Sequence, residues 1–190
     1  MSSISILGDT SGSVLIQAPA VAGSTTVTLP SSSMTIYTPE CDQWVITAAI
    51  SLSSGANYIT TNWARNALSW YSKVGTGMSQ SSGVFTFPST GTYRVEYYAY
   101  VTTSGVQRYV GSEIFVATDG STFSLASEAY QTQSASGSTY YLTPVSTIIL
   151  NVTNTTNVKV KFRTDMDSTG TLQGSTTGVA ANAIFTKVGP

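Results

Sequence analysis

The 190-residue chain contains no histidine. That absence removes Ser-His-Asp and Cys-His catalysis and every His-ligated metal site. A single cysteine, Cys41, allows no internal disulfide, so packing or partners must supply the stability. Charge is scarce as well: Asp, Glu, Lys and Arg make up 9% of the chain, against roughly a quarter in an ordinary soluble domain. The eight cations look singly scattered and the formal net charge is −1. This leaves no basic stripe for a phosphate backbone, and no nucleic-acid partner is expected. The uncharged stretch from Gln43 to Ala64 is interrupted by Thr, Ser, Gly and Asn. It is too polar to span a bilayer, so no membrane partner is expected either. Met1-Ser2-Ser3-Ile4 offers no cationic start to a secretory signal, and the reading is of a protein that is not exported. No window sustains a 3.6-residue hydrophobic period.

What the chain has in excess is hydroxyl. Its 29 Ser and 30 Thr, with 16 Gly and 11 Tyr, are the vocabulary of short strands and polar turns. From Asp42 onward a period of two persists. Trp44 to Leu52 reads as one long strand covered on both faces. Tyr93, Val95, Tyr97, Ala99 and Val101 alternate with Arg94, Glu96, Tyr98 and Tyr100. Val158, Val160 and Phe162 point one way while Lys159, Lys161 and Arg163 point the other. Strands are also expected at Ser112–Ala117, Pro144–Val152 and Ala183–Val188, with Ser/Gly/Asn/Asp turn clusters between them. The fold class expected is all-β, an antiparallel jelly-roll sandwich.

The chain divides near Pro39. Residues 42–190 form the expected jelly-roll domain and residues 1–41 an extended N-terminal β-arm. The arm holds two short apolar runs, one containing Val14, Leu15 and Ile16 and the other Val27 and Leu29. Both read as strands in a segment too small to bury a core by itself.

Between Gly83 and Tyr97 lies a more specific pattern: Gly83, Phe85, Pro88, Gly91, Tyr93, Val95 and Tyr97. Pro88 and Gly91 predict a tight corner, with Gly91 in a conformation that a Cβ would oppose. Beyond the corner, Tyr93, Val95 and Tyr97 enter the core on one face. This segment resembles the globular head of complement component one-q and its tumour-necrosis-factor relatives. Val95 stands where that family usually has Phe, Met78 where it usually has an aromatic, and the upstream half of the pattern is absent. The resemblance implies a ten-stranded jelly roll that assembles as a tight homotrimer, with Tyr97, Tyr98 and Tyr100 at its trimer interface.

The arm carries a second resemblance. Gly8 to Pro30, with its Ser/Thr/Ala/Gly run around Val14–Ile16 and Val27–Leu29, looks like a segment of structural proteins of tailed bacterial viruses. The closing Phe185-Thr186-Lys187-Val188-Gly189 fits the same picture. These likenesses imply a bacteriophage virion component, made in the bacterial host cytoplasm and displayed on the particle surface. Its partner would be the major capsid protein or another virion protein, gripped by Val14, Leu15, Ile16, Val27 and Leu29.

Other constellations are weaker. Asp165 and Asp167 read as turn formers rather than as a calcium site, and no metal or cofactor is expected. Glu96, Glu113, Asp119, Glu128, Asp165 and Asp167 show no spacing that favours a paired-carboxylate active site, so no enzyme is expected. Trp63, Trp70, Tyr58 and Tyr71 could stack on a sugar but read more readily as core or interface residues. The expectation is a capsid decoration or head-fibre trimer. The alternative is a tail-fibre tip or receptor-binding protein that recognises a host surface glycan or protein through Ser53–Asn57, Ser134–Tyr141 and Ser168–Thr177.

Overall fold

The structure, a computed structural model, describes the strands Ser3–Leu7 and Ser13–Gln17 and residues 37–190 other than 135, 136 and 138. It falls into two compact units, Met1–Thr35 and Ile36–Pro190. In the first, β1 (Ser3–Leu7) pairs antiparallel with β2 (Ser13–Gln17), setting Ile4 opposite Ile16 and Ile6 opposite Val14. β2 is the strand read from Val14, Leu15 and Ile16. Its partner β1 was missed, although Ser3-Ile4-Ser5-Ile6 alternates with period two. Val27 and Leu29 lie outside the described residues.

The second unit contains β3 (Cys41–Ile46), β4 (Ile50–Leu52), β5 (Gly55–Tyr58), β6 (Trp63–Arg65), β7 (Ser79–Ser81), β8 (Val84–Thr86), β9 (Gly91–Tyr98), β10 (Val101–Thr103), β11 (Gln107–Ala117), β12 (Ser124–Gln133), β13 (Tyr140–Leu142), β14 (Val145–Val152), β15 (Lys159–Met166), β16 (Gly170–Leu172) and β17 (Asn182–Gly189). They form a five-stranded sheet in the order β14-β9-β17-β3-β6 and a larger sheet β12-β11-β15-β8-β7 with β5 also on β15. A four-stranded sheet, β13-β10-β16-β4, completes the unit. Every pairing is antiparallel, as a jelly-roll sandwich requires.

Two expectations about boundaries need correction. The division drawn at residue 41 falls inside the second unit, because Cys41 opens β3. Its backbone exchanges hydrogen bonds with Val74 at 3.0 and 2.9 Å, and it pairs with Thr186. The apolar run Trp44–Leu52 is two strands in two sheets rather than one. The chain leaves β3 at Thr47, whose amide donates to the Asn62 carbonyl at 2.9 Å, and enters β4 at Ile50. Gly174 permits that crossing, since a Cβ there would come within 2.5 Å of the Ala48 backbone.

The alternation in β9 is as read: Tyr93, Val95 and Tyr97 are fully enclosed. Val160 and Phe162 of β15 face them from the larger sheet and are equally buried. Phe85 lies at the hub. Its ring meets Trp44, Trp63, Phe162 and Phe185 with centroids 5.1–5.4 Å apart. Met78 is buried beside this cluster.

The hairpin that delivers Phe85 turns on Ser82 (φ 49°) and Gly83 (φ 77°), the two-residue geometry with both central residues left-handed. A Cβ on Gly83 would press on the Ile59 carbonyl oxygen and come 2.8 Å from Thr60 Cα. Gly83→Ala is therefore expected to destabilise the fold by about 2 kcal/mol or more. Gly105→Ala, whose nearest neighbour would be the Ser168 hydroxyl at an ordinary 3.8 Å, should be nearly neutral. Urea unfolding of the two variants beside the parent chain measures the contrast.

Candidate interaction surface

β12 and β14 are the end strands of their sheets, and they lie beside each other at one side of the sandwich. The Ser127 hydroxyl donates to the Thr147 carbonyl at 2.9 Å across the gap. The ten residues of β12 and the eight of β14 carry one charge between them, Glu128, and no proline. Leu125, Tyr130 and Val145 are exposed, and Ile149 is 60% exposed.

The β14–β9 register puts Val145 opposite Tyr98, Thr147 opposite Glu96 and Ile149 opposite Arg94, on the sheet face turned away from the core. On that face Arg94 pairs with Glu96 at 2.6 Å, and the Tyr98 hydroxyl donates to the same carboxylate at 3.3 Å. The charges are thereby spent on each other. What remains presented is aliphatic and aromatic surface.

The three tyrosines expected at a trimer interface separate. Tyr97 belongs to the core, fully enclosed, with its hydroxyl 2.7 Å from Thr164 Oγ1, and it is not available to another chain. The reason is parity: it shares a face with Tyr93 and Val95. Tyr98 lies on the outward face, half-buried beside Val145. Tyr100 follows the end of β9 and stacks on Tyr141 with centroids 6.0 Å apart. The fold-motif residues do converge. Phe85 and Tyr93 are core residues, and Pro88 lies in the corner between β8 and β9. Gly91 opens β9 at φ 133°, where a Cβ would meet Lys187 Cε at 2.5 Å and the Gly189 carbonyl at 2.7 Å.

The proposed aromatic platform does not assemble. Trp63 is a core residue whose Nε1 donates to the Ile59 carbonyl at 2.9 Å. Tyr58 lies on the outer face of the larger sheet, and Trp70 stands exposed on the loop between β6 and β7. Of the candidate carboxylates, Glu113 and Glu128 lie opposite each other and share the Tyr130 hydroxyl at 2.8 and 3.1 Å, with Asp165 on the same outer face, while Asp119 and Asp167 stand apart. Asp167 is held by Arg108 at 2.5 Å, while Asp165 faces outward on β15 opposite Gly111. Asp119 accepts from the amides of Ser121 and Thr122, which lowers its pKa to about 2.

Two carboxylates are deeply buried, Asp42, which sequence reasoning passed over, and Glu113, whose burial it did not foresee. Asp42 is 1% exposed, yet it accepts from Arg65, Trp44 Nε1, the Tyr71 hydroxyl and the Met78 amide at 2.7–3.1 Å. Glu113, also fully buried, pairs with Arg163 and accepts from the Tyr130 hydroxyl at 2.8 Å. The signal for Asp42 was its place at the start of an apolar strand, two residues before Trp44.

An open groove of about 590 Å³ occupies the end of the sandwich reached by the C-terminal ends of β3 and β9. It is lined chiefly by Ser51, Ser53, Thr102, Ser104, Thr169 and Thr171, with no charged side chain. The register sets Thr102 beside Thr171 and Thr171 beside Ser51.

No protein-family model matches the chain, and no curated protein sequence matches it. Solved structures do. Murine APRIL, crystallised at pH 5.0, is similar over 79% of this chain and 99% of its own, with a TM-score of 0.56 and 11% identity. Eiger TNF from S. frugiperda is similar over 79% of this chain and 93% of its own, with a TM-score of 0.60 and 12% identity. The likeness establishes a tumour-necrosis-factor-like jelly-roll fold.

Three phenols sit where ionisation is opposed. Burial raises the pKa of Tyr97, and burial with the neighbouring carboxylate raises those of Tyr71 beside Asp42 and Tyr130 beside Glu113. Below the ordinary phenol value of about 10 both folded and unfolded chains keep these protons, and the stabilisation is fully present. Above it the unfolded chain loses protons that the folded chain retains, so stability falls as pH rises. Ultraviolet titration should show these phenolates appearing together with the loss of structure rather than before it.

Proposed function

We propose that the chain is a non-enzymatic structural protein of a bacteriophage virion. Its jelly-roll units associate as a homotrimer, and the unit Met1–Thr35 fixes that trimer to the capsid, which it decorates or stabilises. The observation that carries the reading is the bare side of the sandwich formed by β12 and β14. Long edge strands with unpaired backbone and few charges are templates for association, and monomeric proteins blunt them with lysine, proline or bulges. Here β12 carries a bulge at Ala126, but neither strand has a lysine or proline, and Ile149 and Val145 add exposed apolar area beside Tyr98.

That Met1–Thr35 is a compact unit in its own right supports the anchoring part. A two-stranded ribbon is marginal in water and gains stability when a partner covers it. Three such ribbons on one trimer multiply weak contacts through effective concentration. The arm's likeness to segments of phage structural proteins is the ground for choosing a bacteriophage particle.

Sedimentation tests the reading. The full chain should run as a trimer. Ile149→Asp should run as a monomer whose thermal midpoint at dilute concentration matches that of the dissociated parent. A chain beginning at Ile36 should remain trimeric and lose its association with purified capsids.

The hydroxyl-lined groove favours a second reading, a receptor-binding tip that engages a neutral host glycan. Among the described residues, the Ser51, Ser53, Ser104, Thr169 and Thr171 hydroxyls line it without a hydrogen bond to the protein. On this reading, adsorption of the full chain to host envelopes is competed by soluble neutral polysaccharide and is lost in Thr171→Val. On the decoration reading neither treatment has an effect.

A further inference from the structure

The eight cations are not as scattered as the sequence suggests. Lys159, Lys161 and Arg163 share the outer face of β15, and four of the eight cations have a carboxylate partner: Arg65, Arg94, Arg108 and Arg163. Lys159 and Lys161 have none among the described residues. The register extends this face sideways. Lys159 lies opposite Thr86, which lies opposite Ser79, and Lys161 lies opposite Val84, which lies opposite Ser81.

At this place the surface is concave. A groove of about 550 Å³ is lined by Lys159, Phe123, Thr86, Ser79, Gln80 and Ser81, among others. Gln80, opposite the core residue Phe85, braces the hairpin under the groove, where its Oε1 accepts from the Gly83 amide at 2.8 Å. The ammonium of Lys161 sits 4.1 Å from the centroid of Tyr58 and 4.5 Å from that of Phe123, an aromatic clasp rather than an ion pair. The carboxylate on the adjoining turn, Asp119, is turned onto the amides of Ser121 and Thr122.

We infer that this groove binds an acidic saccharide. The match is chemical. A sugar that bears a carboxylate or phosphate offers one anionic group, several hydroxyls and an apolar ring face. The groove offers the Lys159 ammonium with Lys161 behind it, the hydroxyls of Ser79, Ser81 and Thr86, and the Phe123 ring. A nucleic acid would demand a longer run of cations than two lysines. A neutral glycan would leave the Lys159 charge unused. The site is on the opposite face of β15 from the core and shares no residue with the β12–β14 side or with the hydroxyl-lined groove, so it stands apart from the assembly reading.

Calorimetry on the full chain tests it with three probes: trigalacturonate, its methyl ester, and a phosphorylated maltotriose. Trigalacturonate or the phosphorylated maltotriose should bind at low salt and weaken as salt is added. Whichever binds identifies the anionic group as carboxylate or phosphate. The methyl ester, the same shape without the charge, should bind about tenfold more weakly or not at all. Lys159→Gln should cost about tenfold in affinity and Lys159→Arg should restore most of it, with sedimentation and melting unchanged in both. Phe123→Ala should weaken binding as well. The inference is overturned if neither anionic probe binds at about 10 mM. It is equally overturned if the ester binds as tightly as the acid, or if Lys159→Gln binds like the parent. Sedimentation of the same samples reports on trimer formation separately.

Discussion

Everything in the jelly roll hangs on the contact of Phe85 with four other rings. Three of them, Trp44, Trp63 and Phe185, come from the five-stranded sheet, and Phe162 comes from the larger sheet to which Phe85 itself belongs. No disulfide ties the sheets together. Edge-to-face and tilted aromatic pairs are each worth about 0.5–1.5 kcal/mol beyond the area they bury. A hub of four such pairs is thus a large share of what a domain of this size can spare. Phe85 sits on a strand of only three residues, so its position depends on the hairpin at Ser82-Gly83, where the close approach of Ile59 and Thr60 leaves no room for a side chain. Backbone conformation at one glycine and ring packing at one phenylalanine are parts of the same device.

Around that apolar centre the chain satisfies its polar atoms with hydroxyls instead of charges. Ser112 Oγ donates to the Tyr97 carbonyl at 2.8 Å and lies 2.9 Å from Ser146 Oγ, bridging the two sheets inside the core. Gln107, fully buried, donates to Thr103 Oγ1 and Ser168 Oγ while accepting from the Ser168 amide. Among the described residues no buried side-chain nitrogen or oxygen lacks a hydrogen-bond partner. The few carboxylates taken inside are the exception that confirms the chemistry. Asp42 collects donors from Trp44, Arg65, Tyr71 and Met78 in its buried position, and in doing so it straps the loop carrying Trp70 and Tyr71 to β3.

How much of this could be read from the residues alone follows the same physics. The alternation in β9 and β15 was legible because each strand buries one face only, and its parity survives in the order of the letters. The corner from Phe85 to Tyr93 was legible because glycine and proline report backbone conformation directly. Tyr97 was misassigned for a reason of the same kind. An interface role was given to three tyrosines as a group, although Tyr97 and Tyr98 differ in parity and cannot share a face. The break inside Trp44–Leu52 was hidden, because a strand leaving one sheet for another stays apolar throughout and nothing local marks the crossing. β12 escaped because Ser124–Gln133 is an exposed edge, where neither face imposes an alternating pattern. The Asp42 network was invisible for want of distance information: its donors Arg65, Tyr71 and Met78 are 23 to 36 residues away.

Scarcity of charge then acquires a positive meaning. A monomeric domain with a net charge near zero has little electrostatic protection against association, and the cations present here are largely committed within the molecule. Arg94 faces outward but is matched to Glu96, so the face beside β14 presents hydrocarbon and phenol. The jelly roll is also polar along its length. The chain enters at Glu40, where the Glu40 carbonyl accepts from the Lys187 amide and its carboxylate from Gly77, and this is the end at which β9 begins. The hydroxyl-lined groove lies past the other end of β9, across β4, β10 and β16. The chain's entry, the β12–β14 side and the open groove thus occupy three different places on the sandwich. The apolar and the hydroxyl-rich surfaces stay separate because the length of β9 lies between the entry and the groove.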